Sequence, residues 1–349
     1  MEQIGLTVID TTLRDGEQSA GVAFTHREKI KITQLLDELG VNIIEAGIPI
    51  MGIKEQRVIQ AMLNLDLNAE ILTWNRMHKS DLRATFETGA KHAHISVPVS
   101  DIHITKKLGT TREKLREELK RILDFGHDLG LVISLGAEDA SRADMDFLTD
   151  IYAIGIKEGV RRIRYADTVS VLNPFSSKKN IECIVEKLSY KCDMKRATFL
   201  NRVHIDFHGH NDFGLGTANA LGAFKGGADV ISCSVNGLGE RAGNTPLEEI
   251  VVALQVMDQI TSTIDIKKIM KVSQIVERYS GRKNHKSKPI VGELVFSHEA
   301  GIHVDGLLKD RSLYEYMQPE WFGRHHSLVL GKHSGKYKPK LKETIKDEK

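Results

Sequence analysis

The chain has 349 residues, 41% hydrophobic and 28% charged, with a formal net charge of +2. That size holds one large domain, a smaller appendage and a sizeable buried core, and the near-neutral balance provides no basic field for nucleic acid. Three scattered cysteines, Cys183, Cys192 and Cys233, argue against a disulfide framework or zinc cage and fit a reducing cytoplasm. No apolar run is long enough to span a membrane, and no charged-then-apolar leader precedes the first strand-like segment.

Short apolar runs alternate with helical patterns along the chain. Strands are expected over 6–10, 41–47, 69–74, 94–98, 131–136, 162–166, 203–208 and 229–235. Between them, over 27–39, 54–65, 112–129, 145–158, 181–191 and 218–226, apolar residues recur at three- and four-residue intervals, as one helical face requires. Eight such units with no GxGxxG turn predict a TIM (β/α)8 barrel rather than a doubly wound sheet. A helical pattern over 247–258 follows the eighth strand. Past about residue 264 the alternation stops: 266–279 reads as one helix, 281–289 as a polar linker, and 290–335 as a His- and Gly-rich segment. Residues 1–263 are thus expected to form the catalytic barrel and 264–349 a linker with a small C-terminal helical subdomain, whose Lys-rich tail beyond Lys336 should fray.

Active sites of TIM barrels lie at the C-terminal ends of the strands, and polar groups collect there. The first strand runs into Thr11-Thr12-Leu13-Arg14-Asp15-Gly16-Glu17-Gln18, the second contains Glu45, the fifth precedes Glu138-Asp139, the sixth meets Asp167-Thr168, and the seventh ends His208-Gly209-His210. His208 and His210, two apart on a strand, point to one side. With Asp15 they form a two-histidine, one-carboxylate set that leaves positions open for substrate, which suits a catalytic divalent metal. Arg14 offers a fixed fork for a carboxylate or a developing oxyanion. Glu45 ends a buried strand, where an unpaired carboxylate is costly, so a role in the polar site is expected. Glu138 reads equally as a helix N-cap neighbour or a catalytic carboxylate. The run 237–243 reads either as a phosphate cradle or as a tight turn. His298-Glu299-Ala300-Gly301-Ile302-His303 lacks the spacing of a helical HExxH zinc site.

These motifs resemble the DRE-TIM metallolyase family, in particular its acetyl-CoA Claisen-condensing branch. The resemblance rests on Asp10 to Gln18, on His208-Gly-His-Asn-Asp-Phe-Gly214, on Gly239-Glu-Arg-Ala-Gly-Asn244, on His298 to Gly306 and on Leu330-Gly-Lys-His-Ser-Gly335. Within the branch, Gly47-Ile-Pro-Ile-Met-Gly52 resembles homocitrate synthases, and Trp74-Asn-Arg76 with Leu135 to Arg142 resembles those that serve nitrogenase cofactor assembly. The resemblance implies condensation of acetyl-CoA with 2-oxoglutarate, then thioester hydrolysis to homocitrate and CoA. The rival readings are a 2-isopropylmalate synthase acting on 2-oxoisovalerate, another enzyme condensing acetyl-CoA with a 2-oxo acid, and an inactive metal-binding paralogue.

It also implies roles for individual residues. Asp15, His208 and His210 match metal ligands for Zn, Mg, Mn or Fe. Arg14, Gln18 and Thr168 match substrate contacts, and Glu45 a pocket residue beside the substrate. Glu138 and His303 match a catalytic dyad, with His303 delivered by the partner in a domain-swapped homodimer. Trp74 and Ser134 stand where lysine-pathway relatives place a His and an Arg around the distal carboxylate, which makes Arg76 the candidate cation for that end. A tyrosine that follows the dyad histidine in relatives is expected to be replaced around His325-His326. The leucine-sensing regulatory domain of isopropylmalate synthases is not expected.

Overall fold

In the computed structural model, which describes residues 5–329 and 331–334, the alternation of strand and helix closes on itself. In chain order the elements are β1 (Thr7–Asp10), α1 (His26–Leu39), β2 (Ile43–Gly47), α2 (Ile53–Leu63), β3 (Glu70–Arg76), α3 (Lys79–Thr88), β4 (His92–Pro98), α4 (Arg112–Asp128), β5 (Val132–Glu138), α5 (Met145–Lys157), β6 (Arg162–Asp167), α6 (Pro174–Lys191), α7 (Arg196–Leu200), β7 (His204–Gly209), α8 (Gly216–Gly226), β8 (Val230–Cys233), α9 (Leu247–Val252), α10 (Ile269–Ser280) and α11 (Gly301–Lys309). All eight strands pair in parallel, and β8 returns to β1 through Thr7↔Val230 to Asp10↔Cys233, so no edge is left open.

All eight expected strands are present, shifted at their ends by a few residues. The helical reading from 181 was too short. α6 begins at Pro174, behind a capping box in which Asn173 accepts from Ser176 N, because an asparagine cap and a first-turn proline start a helix without an apolar periodic residue. The reading at 247–258 is an α-helix that loosens into a π-turn at Ala253–Met257. α3 and α7 were not anticipated. The tail beyond Lys336, together with Leu330 and Gly335 of the last motif, lies outside the described residues.

The barrel interior is layered. Ile9, Ile43, Leu72 and Val230 plug its base with apolar side chains. Beside it the interior is ionic: Glu45, two residues past Ile43 on β2, is buried together with Arg164 of β6 and Asp206 of β7, and Arg164 bridges the two carboxylates. The large hydrophobic core lies outside the strands, between them and the helical shell. A rigid apolar base under a buried ionic layer leaves the C-terminal mouth as the place where polar groups meet solvent.

The segment after the barrel folds back on it. α10 is tied to the β8 loop by Asn236 Nδ2 donating to Ser273 O, and to α1 by Lys271 with Glu38. Lys288 reaches two carboxylates at the start of α9, Glu248 at 2.9 Å and Glu249 at 2.8 Å. Beyond it, α11 carries exposed Ile302 and Leu308.

Candidate active site

Asp15, His208 and His210 come together at the mouth. Asp15 starts the 3-10 turn that follows β1, and the histidines sit at and just past the end of β7. Their ligand atoms all lie within 4.8 Å of one another, and the imidazole rings stand perpendicular with centroids 5.1 Å apart. Burial pushes the Asp15 carboxyl up, but Arg14 and then His208 outweigh it and hold the group well below its ordinary range. Burial, then the neighbouring His208, push the His210 imidazole down to about 4. Nδ1 of each histidine is buried without a hydrogen-bond partner. An ionised carboxylate, a neutral imidazole and orphaned ring nitrogens form a donor set that a divalent cation satisfies. Among the described residues no other three such donors cluster this way.

Arg14 is fixed from two sides. Its Nη1 donates to Asp15 Oδ2 at 2.8 Å, its Nε donates to Glu45, and its guanidinium lies 5.7 Å from the Trp74 ring. A cavity of about 210 Å³ extends from this group. Gln18, Glu138 and Thr168 all line it, as does the expected metal set. Thr168 is itself positioned, accepting at Oγ1 from Asp139 N at 2.8 Å, while Arg241 donates to its carbonyl.

Three expectations need correction. Glu45 does not reach the cavity: it is fully buried and serves as the anchor between Arg14 and Arg164. Arg76 is not at the cavity either. Its Nε and Nη2 grip Asp81 at 2.9 Å each, because Asp81 in the first turn of α3 lies within reach of the last residue of β3. A tyrosine does stand beside His303: the Tyr314 ring lies 4.5 Å from it, whereas His326 is held by Glu315. His303 itself is exposed on α11 and does not line the cavity of its own chain.

The structure adds residues that the motifs did not reveal. His94 and Ser96 of β4 face the cavity, and His94 Nδ1 lies 3.0 Å from Ser134 Oγ on β5. Burial, then Arg164 and Arg14, push the His94 imidazole well below its ordinary value, so it is neutral. Gly136 makes room for it: a Cβ there would stand 2.3 Å from His94 Nε2. The alternation His92, His94, Ser96 against Ala93, Ile95, Val97 was a legible sign that one face of β4 is polar. Lys107, on the π-turn after β4, donates to both Glu138 oxygens at 2.6 and 2.8 Å, and no sequence signal pointed to it.

The run 237–243 is a tight turn. Gly243 N donates to Glu240 O, Asn244 N to Gly237 O and Gly239 N to Ser19 Oγ, and a Cβ on Gly243 would meet Gly237 O at 2.0 Å. With these N–H groups spent internally, it does not present a phosphate cradle.

Residues 5–276 match the HMGL-like family and residues 290–344 match the homocitrate synthase post-HMGL domain-like family. The chain belongs to the HMGL-like, DRE-TIM family. Homocitrate synthase 1 of Nostoc sp. is 43% identical over 94% of this chain and 84% of its own length. 2-Isopropylmalate synthase 2 of Caldanaerobacter subterraneus subsp. tengcongensis is 42% identical over 94% and 82%, and (R)-citramalate synthase of Methanocaldococcus jannaschii is 40% identical over 96% and 66%. The barrel superposes on hydroxymethylglutaryl-CoA lyase from Pseudomonas aeruginosa with a TM-score of 0.69 at 17% identity, covering 84% of this chain and 98% of that one; this likeness concerns the fold. The protein is therefore an enzyme of the transferase class, from a family of synthases that condense acetyl-CoA with 2-oxo acids and use a divalent metal. Among the described residues no helix is long and apolar enough to cross a membrane.

Proposed function

We propose that the protein is a homocitrate synthase, joining acetyl-CoA to 2-oxoglutarate and hydrolysing the thioester to release homocitrate and CoA. Relatives named for three different products, homocitrate, 2-isopropylmalate and citramalate, are about equally similar, so the choice rests on the cavity wall. That wall presents His94 and Ser96, backed by Ser134. The branched apolar chain of 2-oxoisovalerate would strand these donors, whereas a distal carboxylate accepts from them. This polar wall carries the reading.

In this reading Asp15, His208 and His210 hold the divalent metal, which when bound polarises the keto carbonyl and fixes its face. Arg14 is pre-oriented by Glu45 and Asp15, and among the described residues its Nη2 makes no hydrogen bond within the protein, so it is available to the alkoxide that forms at the keto carbon. Gln18 and Thr168 receive the C1 end of the oxo acid. Glu138, tethered by Lys107, pairs with His303 from a second copy of the chain to take the methyl proton of acetyl-CoA. The exposed position of His303, away from the cavity of its own chain, supports this exchange, with residues 264–349 serving as the arm of a homodimer. Tyr314 then travels to the partner's mouth with His303. The alkoxide and thioester share one product molecule, and water completes the reaction by cleaving the thioester. A cytoplasmic role in supplying homocitrate to nitrogenase cofactor assembly accords with the Trp74-Asn-Arg76 resemblance.

CoA release by the purified protein, measured against 2-oxoglutarate, 2-oxoisovalerate and pyruvate, tests the assignment. The expected order puts 2-oxoglutarate first in kcat/KM. A larger value for 2-oxoisovalerate would make it an isopropylmalate synthase instead.

A further inference from the structure

The metal cavity contains a buried cation with one donor still unmatched. Arg164 and Ala166 of β6, and Thr168 just past its end, alternate onto the inner face and all line the cavity. Thr168 lies nearest the mouth and Arg164 furthest from it along the strand, with its side chain 3% exposed. Arg164 Nε donates to Asp206 at 2.5 Å and Nη1 lies 2.8 Å from Glu45. Nη2 is buried and, among the described residues, makes no hydrogen bond. Such a group calls for an acceptor, because an unmatched buried donor is costly and more so when charged. The strand register shows what faces it. Arg164 lies opposite Gly136 of β5, and Gly136 lies opposite Ser96 of β4. The missing side chain at Gly136 admits the His94 ring, since a Cβ there would stand 2.3 Å from His94 Nε2. Arg164 is also the charge that most depresses the His94 imidazole. His94, Ser96 and the open N–H of Arg164 thus border one end of the cavity.

We propose that Arg164 is the specificity-determining residue of the site: its Nη2 donates to the distal carboxylate of the 2-oxo acid, beside the neutral His94. The proposal deepens the homocitrate reading and rests on it. The other cations lining the cavity are engaged or placed elsewhere. Lys107 holds both oxygens of Glu138, Arg241 holds Asp212 and the Thr168 carbonyl, and Arg14 sits at the metal end against Asp15. Arg76 is on Asp81, outside the cavity. The charges permit a further carboxylate, because Arg14 and Arg164 balance Glu45 and Asp206 within the ionic layer. Glu45 and Asp206 also fix the guanidinium fork before substrate arrives, so little side-chain freedom is lost on binding. The small side chain of Ala166 leaves the way open between Thr168, at the C1 end, and Arg164. A branched apolar tail in this place would seal Nη2 away from protein and water alike, whereas a carboxylate satisfies it.

The test compares 2-oxoglutarate with 2-oxopentanoate, which carries a methyl where the former has its distal carboxylate. Both are titrated calorimetrically into the protein saturated with Mn2+, and kcat/KM for each is read from CoA release. Arg164→Lys keeps a positive charge beside Glu45 and Asp206 but removes Nη2. The affinity ratio of 2-oxoglutarate to 2-oxopentanoate should fall about thirtyfold, with 2-oxopentanoate binding held within about twofold. A merely structural role, or a water satisfying Nη2, would weaken both ligands alike; an unchanged ratio therefore overturns the proposal. Ala166→Asp leaves Arg164 in place and decides the matter even where Arg164→Lys does not fold. It offers Nη2 a carboxylate from the next inward position, and should lower 2-oxoglutarate affinity about tenfold or more beyond the loss in Ala166→Asn, its neutral match in size. Equal losses in those two variants would also overturn the role of Arg164. A parent that prefers 2-oxoglutarate while the ratio survives in Arg164→Lys loses only this proposal. A parent with a larger kcat/KM for 2-oxopentanoate or 2-oxoisovalerate loses the homocitrate reading and this proposal together.

Discussion

Glu45→Gln isolates the ionic layer beneath the site. Glu45 is the one carboxylate that touches both Arg14 and Arg164, the latter at 2.8 Å, and all three side chains are buried. Breaking a buried ion pair by removing one partner costs about 3–5 kcal/mol. In the variant Arg14 keeps Asp15 and Arg164 keeps Asp206, so the loss belongs at the lower end, about 3 kcal/mol. With a urea slope of about 3 kcal/mol/M, as a large exposed surface implies, the midpoint should fall by about 1 M. The pH dependence has a definite sign. Burial pushes the Glu45 carboxyl up, but Arg14 and then Arg164 override it and leave it below its ordinary 4.5. A depressed folded value stabilises fully above the unfolded one and loses its contribution as pH falls through the folded one. The gap between parent and variant should therefore be complete at neutral pH and narrow below 4.5. Urea titrations followed by circular dichroism, at neutral pH and at several pH values below that point, measure both quantities. Equal midpoints at neutral pH, or a gap that widens in acid, would refute the argument that Glu45 holds the two arginines.

His210→Ala removes one of three clustered donors and should cut both metal retention and turnover, read by metal analysis after gel filtration and by CoA release; full activity in the presence of chelator would remove the metal site. Asp15→Ala and His303→Ala homodimers should each be nearly inactive, while mixed dimers should regain part of the activity through one intact site. No recovery after verified subunit exchange would place His303 in its own chain's reaction. Arg76→Ala should leave the KM for 2-oxoglutarate close to the parent's, since the guanidinium is engaged by Asp81, whereas His94→Phe should raise it by about tenfold or more by replacing a buried donor with an apolar ring. Steady-state kinetics of the two variants side by side decides between wall and strand end.

The eight strands, most of the helical shell and the convergence of Asp15, His208 and His210 were legible in the sequence because they rest on local rules. Strand parity alone puts His208 and His210 on one face, and the strand–helix alternation alone brings the β1 loop and the end of β7 to the same rim. What lies opposite what was not legible, because it depends on barrel closure and on competition between neighbours. Arg76 has the parity to face the mouth, yet Asp81 from the next helix captures it first. Glu45 reads as a pocket residue, yet the closed barrel sets Arg14 and Arg164 on either side of it and turns it into their anchor. His94 becomes part of the wall only because β5 presents Ser134 to hold it and Gly136 to admit it, and Tyr314 meets His303 only through the turn that follows α11. The residue types and their periodicity determined the architecture and the rim that carries the chemistry. Only the tertiary structure decided which charges are spent on one another and which remain for a substrate, since an ion pair is settled by distance and burial, not by position along the chain.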